Sequence, residues 1–457
     1  MGTQFTRKPS IPTLWFGMLL ILATTACQAN LITQATATRA ITLPTVQSIE
    51  TDVSSAPPYY GFTYQAADGN RWVPGKGSLP QAVPVDIQLD DVPLWLVAGP
   101  IQGGSLWVAA LQDGRIQAFQ IIDRQTSEVK IQPAQLPAGM PPMLAYEQGR
   151  PYLVTTPGTT GAAHTHPVIF PSNGLLAYLE ENGDLIIQGK SGDVRLEVDA
   201  LPDARILMDE NERLLVLSGP TTVYDHAVVG DIYEATSITL VETQPIPRVA
   251  LTIPIASPQI IEGIMPIWTD LTGDGVREII VTLSDGSQGA QIVVFDENGD
   301  QIANGSPIGK GYRWRHQIAA APFGPLGELE LVDVLTPHIG GIVEFFQMVD
   351  GALLPSAQTG GFTSHTIHSR NLDMAAVGDF DGDGLIEVLL PSQDLSMLGG
   401  IHRNENGAET AWEIPVGGKL NTNLAVIQFA NGTLAIGVGV QEGRLRIWLP
   451  QPIAGVN

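Results

Sequence analysis

The 457 residues include a single cysteine, Cys27, so no internal disulfide can form and a redox or disulfide framework is excluded. Basic residues are scarce: 23 Lys and Arg stand against 47 Asp and Glu, a formal net charge of −24. Nucleic acid is excluded as a partner, because its phosphates must be neutralised by Lys and Arg. Adhesion to an anionic membrane through basic patches is excluded on the same ground. Only 15% of residues are charged and 44% are apolar, which rules out a chain disordered throughout and predicts a large buried core. No nucleotide-binding glycine loop, nucleophile elbow or zinc-protease signature is found. Between Ile87 and Pro450 no stretch carries the apolar period of a long amphipathic helix.

What is there begins with an apolar run, Ile11 to Ala26, preceded by Arg7 and Lys8 and followed at once by Cys27. This is the layout of a secretory signal. The run fades at Thr24 and Thr25, short of the about 20 apolar residues that a bilayer span needs. The segment LATTAC resembles the lipobox of bacterial lipoproteins, departing from it in Thr24 where leucine is typical. The resemblance implies a signal over residues 1–26 and lipid attachment at Cys27. The mature chain would then be held by acyl chains in a bacterial cell envelope, outside the cytoplasm. Loss of Arg7 and Lys8 would leave 47 acidic against 21 basic residues. Residues 27–86 open on a Thr, Ala, Ser and Pro-rich stretch without sustained periodicity and read as a tether, with short pieces such as Phe62 to Tyr64 able to pack on the body.

From residue 87 to 451 short apolar or alternating runs recur in pairs around Asp113-Gly114, Asn182-Gly183, Asn298-Gly299, Asp350-Gly351 and Asn431-Gly432. These dipeptides predict hairpins in which both central residues take positive φ. DLTGDGVREIIVTL at Asp270 and DFDGDGLIEVLLPS at Asp379 match almost position for position, 109 residues apart. A third unit, GELELVDVL followed by GIVEFFQMVDG, lies between them without the acidic loop. Each unit therefore has the length of one four-stranded propeller blade. The predicted fold is an all-β propeller. The 364 residues from Ile87 to Pro450 divided by 52 give seven blades, with six or eight also compatible.

Two loops, 270–278 and 379–387, carry the chemistry. Alternate oxygen-bearing residues on a tightly coiled loop point at one centre, and the glycines allow the coiling. In the second loop the donors are Asp379, Asp381, Asp383, the Leu385 carbonyl and Glu387; in the first, Asp270, Thr272, Asp274, the Val276 carbonyl and Glu278. Hard oxygen donors in this number suit calcium, and the first loop, one carboxylate poorer, is expected to bind it more weakly. An EF-hand is excluded, since the position of its bidentate Glu is Leu390 or Val281. The loops resemble the FG-GAP or VCBS-type repeat of integrin alpha-chain propellers and of exported bacterial proteins. That resemblance implies calcium-binding loops within blades, two structural ions here, and no particular ligand.

The histidines give a second set of candidates. His164 and His166 share a face if extended, half of a transition-metal site, or make ordinary loop contacts. Asp225 and His226 are adjacent and so point apart. A central channel could gather His226, His316 and His365 with Arg313, Arg315 or Arg370, the arrangement that a propeller lyase, hydrolase or oxidoreductase would need. Trp107, Trp412 and Trp448 are expected between blades, and Trp314, flanked by Arg313 and Arg315, as an exposed recognition point. The leading expectation is a monomeric, lipid-tethered, calcium-stabilised propeller whose loops bind a protein or a glycan.

Overall fold

A computed structural model describes residues 47–48 and 59–450. The expected signal, Cys27 and the opening of the tether lie outside the described residues. Among the described residues no helix occurs, and hence none long and apolar enough to cross a membrane.

The described strands form six hydrogen-bonded sheets, and the largest, of 13 strands, is described in three successive parts; the sheets and parts are labelled blades 1 to 8 in order around the ring. Blade 1 begins at Pro93–Ile101 and ends at Gln125–Lys130; blade 2 holds Tyr60–Gly61, Leu144–Glu147 and Arg150–Leu153. Blade 3 runs from Val168–Ile169 to Val194–Leu196 and blade 4 from Leu207–Met208 to Arg248–Pro254. Blade 5 comprises Ile267–Thr269, Glu278–Ser284, Gln291–Phe295 and Gln301–Asn304. Blade 6 comprises Arg315–Ala321, Glu330–Leu335, Ile342–Val349 and Ala352–Gly360. Blade 7 comprises Ala376–Asp379, Glu387–Pro391, Met397–Asn404 and Gly407–Pro415. Blade 8 joins Ala425–Gln428, Leu434–Val440 and Arg444–Trp448 to Pro84–Gln88 from the other end of the chain. Blades 2 and 3 are built from strands of two to four residues, so an average repeat length overestimates them.

Each sheet buries both faces against its neighbours, as the apolar composition requires. Separate apolar clusters join blade 1 to 2, blades 2 through 5, 5 to 6, 6 to 7 and 7 to 8. A last cluster, with Leu96 and Trp107 against Ala435 and Leu445, joins 8 back to 1 and closes the ring. Trp107, Trp412 and Trp448 lie buried in these seams. The hairpins explain the Gly periodicity with one change. At Gly114, Gly183, Gly299 and Gly432 the glycine N–H donates to the carbonyl three residues back. The glycine alone takes positive φ there; only Asp350-Gly351 places both residues so, at 49° and 78°.

The tether reading fails from Tyr59 onward, because this stretch threads the middle of the ring. Tyr59 Oη donates to the Ala98 carbonyl of blade 1, and Tyr60 pairs with Ala145 of blade 2. Met208 N–H and Trp268 N–H donate to the carbonyls of Ala67 and Asp68, in blades 4 and 5. Asn70 Nδ2 donates to Ala320 O of blade 6, and Gln65 Oε1 accepts from Val426 N–H of blade 8. Val377 N–H of blade 7 donates to Arg71 O. Phe62, Thr63, Tyr64, Asn70 and Arg71 are buried. The chain then runs as Trp72–Lys76 parallel to the inner strand of blade 7 before reaching blade 8. The residues lack strand alternation because they face a surrounding ring and not a single sheet.

Candidate functional site

Antiparallel strands send successive connections to opposite ends of a blade. Both acidic loops join an inner strand to the second strand, at one end of the ring. Their local bonding is the same. Asp379 Oδ1 and Oδ2 accept from Gly382 N–H (2.7 Å) and Gly384 N–H (3.1 Å); Asp270 Oδ1 and Oδ2 accept from Gly273 N–H (2.6 Å) and Gly275 N–H (2.9 Å). Asp383 accepts from Leu385 N–H and Asp274 from Val276 N–H. Gly382 and Gly384 both hold left-handed φ, 84° and 97°, which folds the carboxylates inward at little steric cost.

The structure thereby gathers Asp379, Asp381, Asp383 and Glu387, with ligand oxygens within 4.8 Å of one another, and likewise Asp270, Asp274 and Glu278. Thr272 joins the second group through its hydroxyl, which donates to Glu278 Oε1 at 3.3 Å. Burial, reinforced by Asp381, Asp379 and Asp383, pushes the Glu387 carboxyl up to about 9. Burial and then Asp270 and Asp274 raise Glu278 as well. At neutral pH the Glu387 carboxyl is therefore protonated unless a cation joins it.

Blade 6 provides the comparison. Its second strand also opens on a buried glutamate, Glu330, but that carboxylate receives Arg403 Nε at 2.9 Å and Gln347 Nε2 at 3.0 Å. Glu387 is just as buried; its Oε2 accepts from Phe380 N–H, and its Oε1 has no partner. Where the sequence supplies no guanidinium, one acceptor of this position is left open toward three aspartates. The donor set and this open oxygen fit a divalent ion held by hard ligands. Sequence reading missed two neighbours: Lys76 Nζ, 3.6 Å from Asp379 Oδ2, and His402, paired with Glu387 across the strands.

The other end of the ring holds the other seven histidines. Trp314 is buried, a correction to its expected exposure, and its Nε1 donates to the Glu262 carbonyl at 3.0 Å. Its ring stacks on His316 and His338, with centroids at 4.8 and 6.0 Å, and meets His365 edge-on. His338 Nε2 lies 2.8 Å from His365 Nδ1, and His226 reaches Glu262 through Nδ1. The arginines do not join them. Arg315 is held between Asp333 and Glu344, Arg313 donates to Ile308 O, and Arg370 pairs with Asp203 and Asp231. His164 and His166 part company as well: His166 is buried, stacked on Tyr64, while His164 lines a cleft of about 350 Å³ with Trp95, His368, Arg370, Asn371 and Asn421.

Burial lowers His166 and His365 to about 3, from an ordinary value of 6.5. A depressed folded value means that the unfolded chain binds more protons below pH 6.5. Stability is then full above 6.5 and is lost as pH falls toward 3. Each of these two rings should cost on the order of 2 kcal/mol by pH 5. Thermal melts from pH 7 to 4.5 should show a falling Tm, and His166→Asn should flatten that fall; a flat wild-type profile would contradict the burial of these rings.

No family model and no curated protein matches the chain. Among solved structures it is similar to a europium-containing methanol dehydrogenase, with TM-score 0.53 and 8% identity, covering 84% of this chain and 90% of that one. A chain of a mitotic checkpoint complex matches with TM-score 0.42 and 10% identity, over 81% and 95%. At 8% identity the first likeness speaks for the fold alone. The chain is a β-propeller protein, and its two acidic loops lie at the end of the ring opposite the histidine-lined connections.

Proposed function

We propose that this is an exported, lipid-anchored propeller, stabilised by two calcium ions, that binds a protein or a glycan and carries out no chemistry of its own. The cation reading is supported above all by Glu387 Oε1, buried without a partner where the matching Glu330 has Arg403. Asp379, Asp381, Asp383 and Glu387, with the Leu385 carbonyl, would hold one ion, and Asp270, Thr272, Asp274, Glu278 and the Val276 carbonyl the other. The ion supplies positive charge that lets crowded carboxylates ionise inside the blade. Attachment through Cys27 would present the ring outside the cytoplasm. Its kinship with FG-GAP or VCBS-type repeats rests on the loops.

The binding surface is assigned to the cleft at the histidine end. Beside the buried edge of Trp95, His164, Asn371 and Asn421 offer donors and acceptors, the mixture that sugars and peptide groups require. His368 is exposed at its rim. The test is a screen of glycans and secreted proteins against the purified mature chain, with and without calcium, repeated with His368→Ala. Retained folding with a ligand lost in His368→Ala supports the cleft. A ligand that binds both forms equally places recognition elsewhere, and turnover of a screened polysaccharide would replace the reading with an enzymatic one.

A further inference from the structure

His402 sits directly across from Glu387 on the adjoining strand of blade 7. One of its ring nitrogens lies within 4.8 Å of ligand oxygens of both Asp383 and Glu387. Its two nitrogens have different surroundings. Nε2 is 3.3 Å from Glu409 Oε1, and Glu409 is itself steadied by Asn404 Nδ2 at 2.7 Å. Nδ1 is buried and has no hydrogen-bond partner. A carboxylate accepting from Nε2–H fixes the tautomer that leaves a lone pair on Nδ1, the arrangement by which outer carboxylates orient metal-binding imidazoles. Glu387 and His402, each with one buried atom that has no partner, thus belong to one cluster.

Blade 5 lacks this feature. The register that pairs Ile279 with Phe295 sets Asp296 at the position of His402. Asp296 is turned into its own hairpin, accepting from the N–H groups of Asn298 and Asp300 at 2.9 and 2.8 Å. The blade 5 cluster offers oxygen only.

We propose that His402 joins Asp383 and Glu387 in a mixed nitrogen and oxygen centre in blade 7 that takes a first-row transition dication, with Mn2+ as the probe. Imidazole suits such ions, whereas calcium favours an all-oxygen shell. The two loops then differ: both take calcium, and blade 7 alone also accepts the transition ion through its nitrogen donor. This rests on the reading of the loops as cation sites.

The experiment uses the full mature chain, freed of metal and then titrated with Ca2+ and with Mn2+. The electron spin echo of bound Mn2+ should show coupling to a directly bound imidazole nitrogen, altered by 15N-histidine labelling. His402→Gln should abolish that coupling and weaken Mn2+ binding by about tenfold or more while Ca2+ is still bound. Ca2+ binding with no nitrogen coupling in the wild-type Mn2+ spectrum overturns this proposal and spares the cation reading. So does coupling that survives in His402→Gln. Binding of neither ion overturns both. The wild-type spectrum decides even if the variant does not fold.

Discussion

Arg71→Met should destabilise the protein by about 3–5 kcal/mol, the cost of removing one partner from a buried ion pair. Arg71 and Asp373 are each about 1% exposed and meet at 3.1 Å. Arg71 also donates to the carbonyls of Ile318 and Leu372, both at 2.9 Å, so one guanidinium ties the threaded segment to blades 6 and 7. Its loss leaves the Asp373 carboxylate with Thr63 Oγ1 as its side-chain donor and without its ion-pair partner. Denaturant unfolding is the measurement. Arg71→Met combined with Asp373→Leu should recover part of the loss, because the stranded charge goes with its partner. Equal stability of Arg71→Met and wild type would mean that the segment does not brace the ring.

Chelation should be nearly as costly. An ion present at a thousandfold excess over its Kd stabilises the folded state by about 4 kcal/mol through mass action. Removing it should lower Tm by several degrees at neutral pH, where the clustered carboxylates would otherwise repel. Asp381→Ala should reduce the calcium-dependent part of that stability, and Glu278→Gln should reduce it less, since the blade 5 loop has one carboxylate fewer. Differential scanning calorimetry with and without a calcium chelator checks this. A Tm indifferent to chelator and to calcium would remove the structural role of the ion.

The acidic loops were legible because every determinant is local. Alternating Asp, paired glycines and a closing Glu lie within nine positions, and their near-copy 109 residues away fixes the repeat. The all-β propeller followed from that repeat together with the hairpin dipeptides. Less legible were blades 2 and 3, whose strands run to only two to four residues. Trp314 was misread for a simple reason. Neighbouring positions on a strand face opposite ways, so Arg313 and Arg315 say nothing about the side to which the indole turns. His402 is visible only through the register that sets it opposite Glu387. The segment FTYQAADGNR pairs with strands far from it in sequence, and nothing in its own pattern announces that its residues are buried or half-buried within the ring.

Blade 8 has a consequence for how the chain is made. Pro84–Gln88 completes a sheet whose other strands end at Trp448, and Arg446 meets Asp86 across 360 positions. Bringing such distant ends together carries a loop-closure entropy of about 5 kcal/mol, which the preceding blades reduce by folding first. A chain emerging from its N-terminus therefore holds an unpaired Val85 and Ile87 until its final strand arrives. Until that strand is made, the ring stays open.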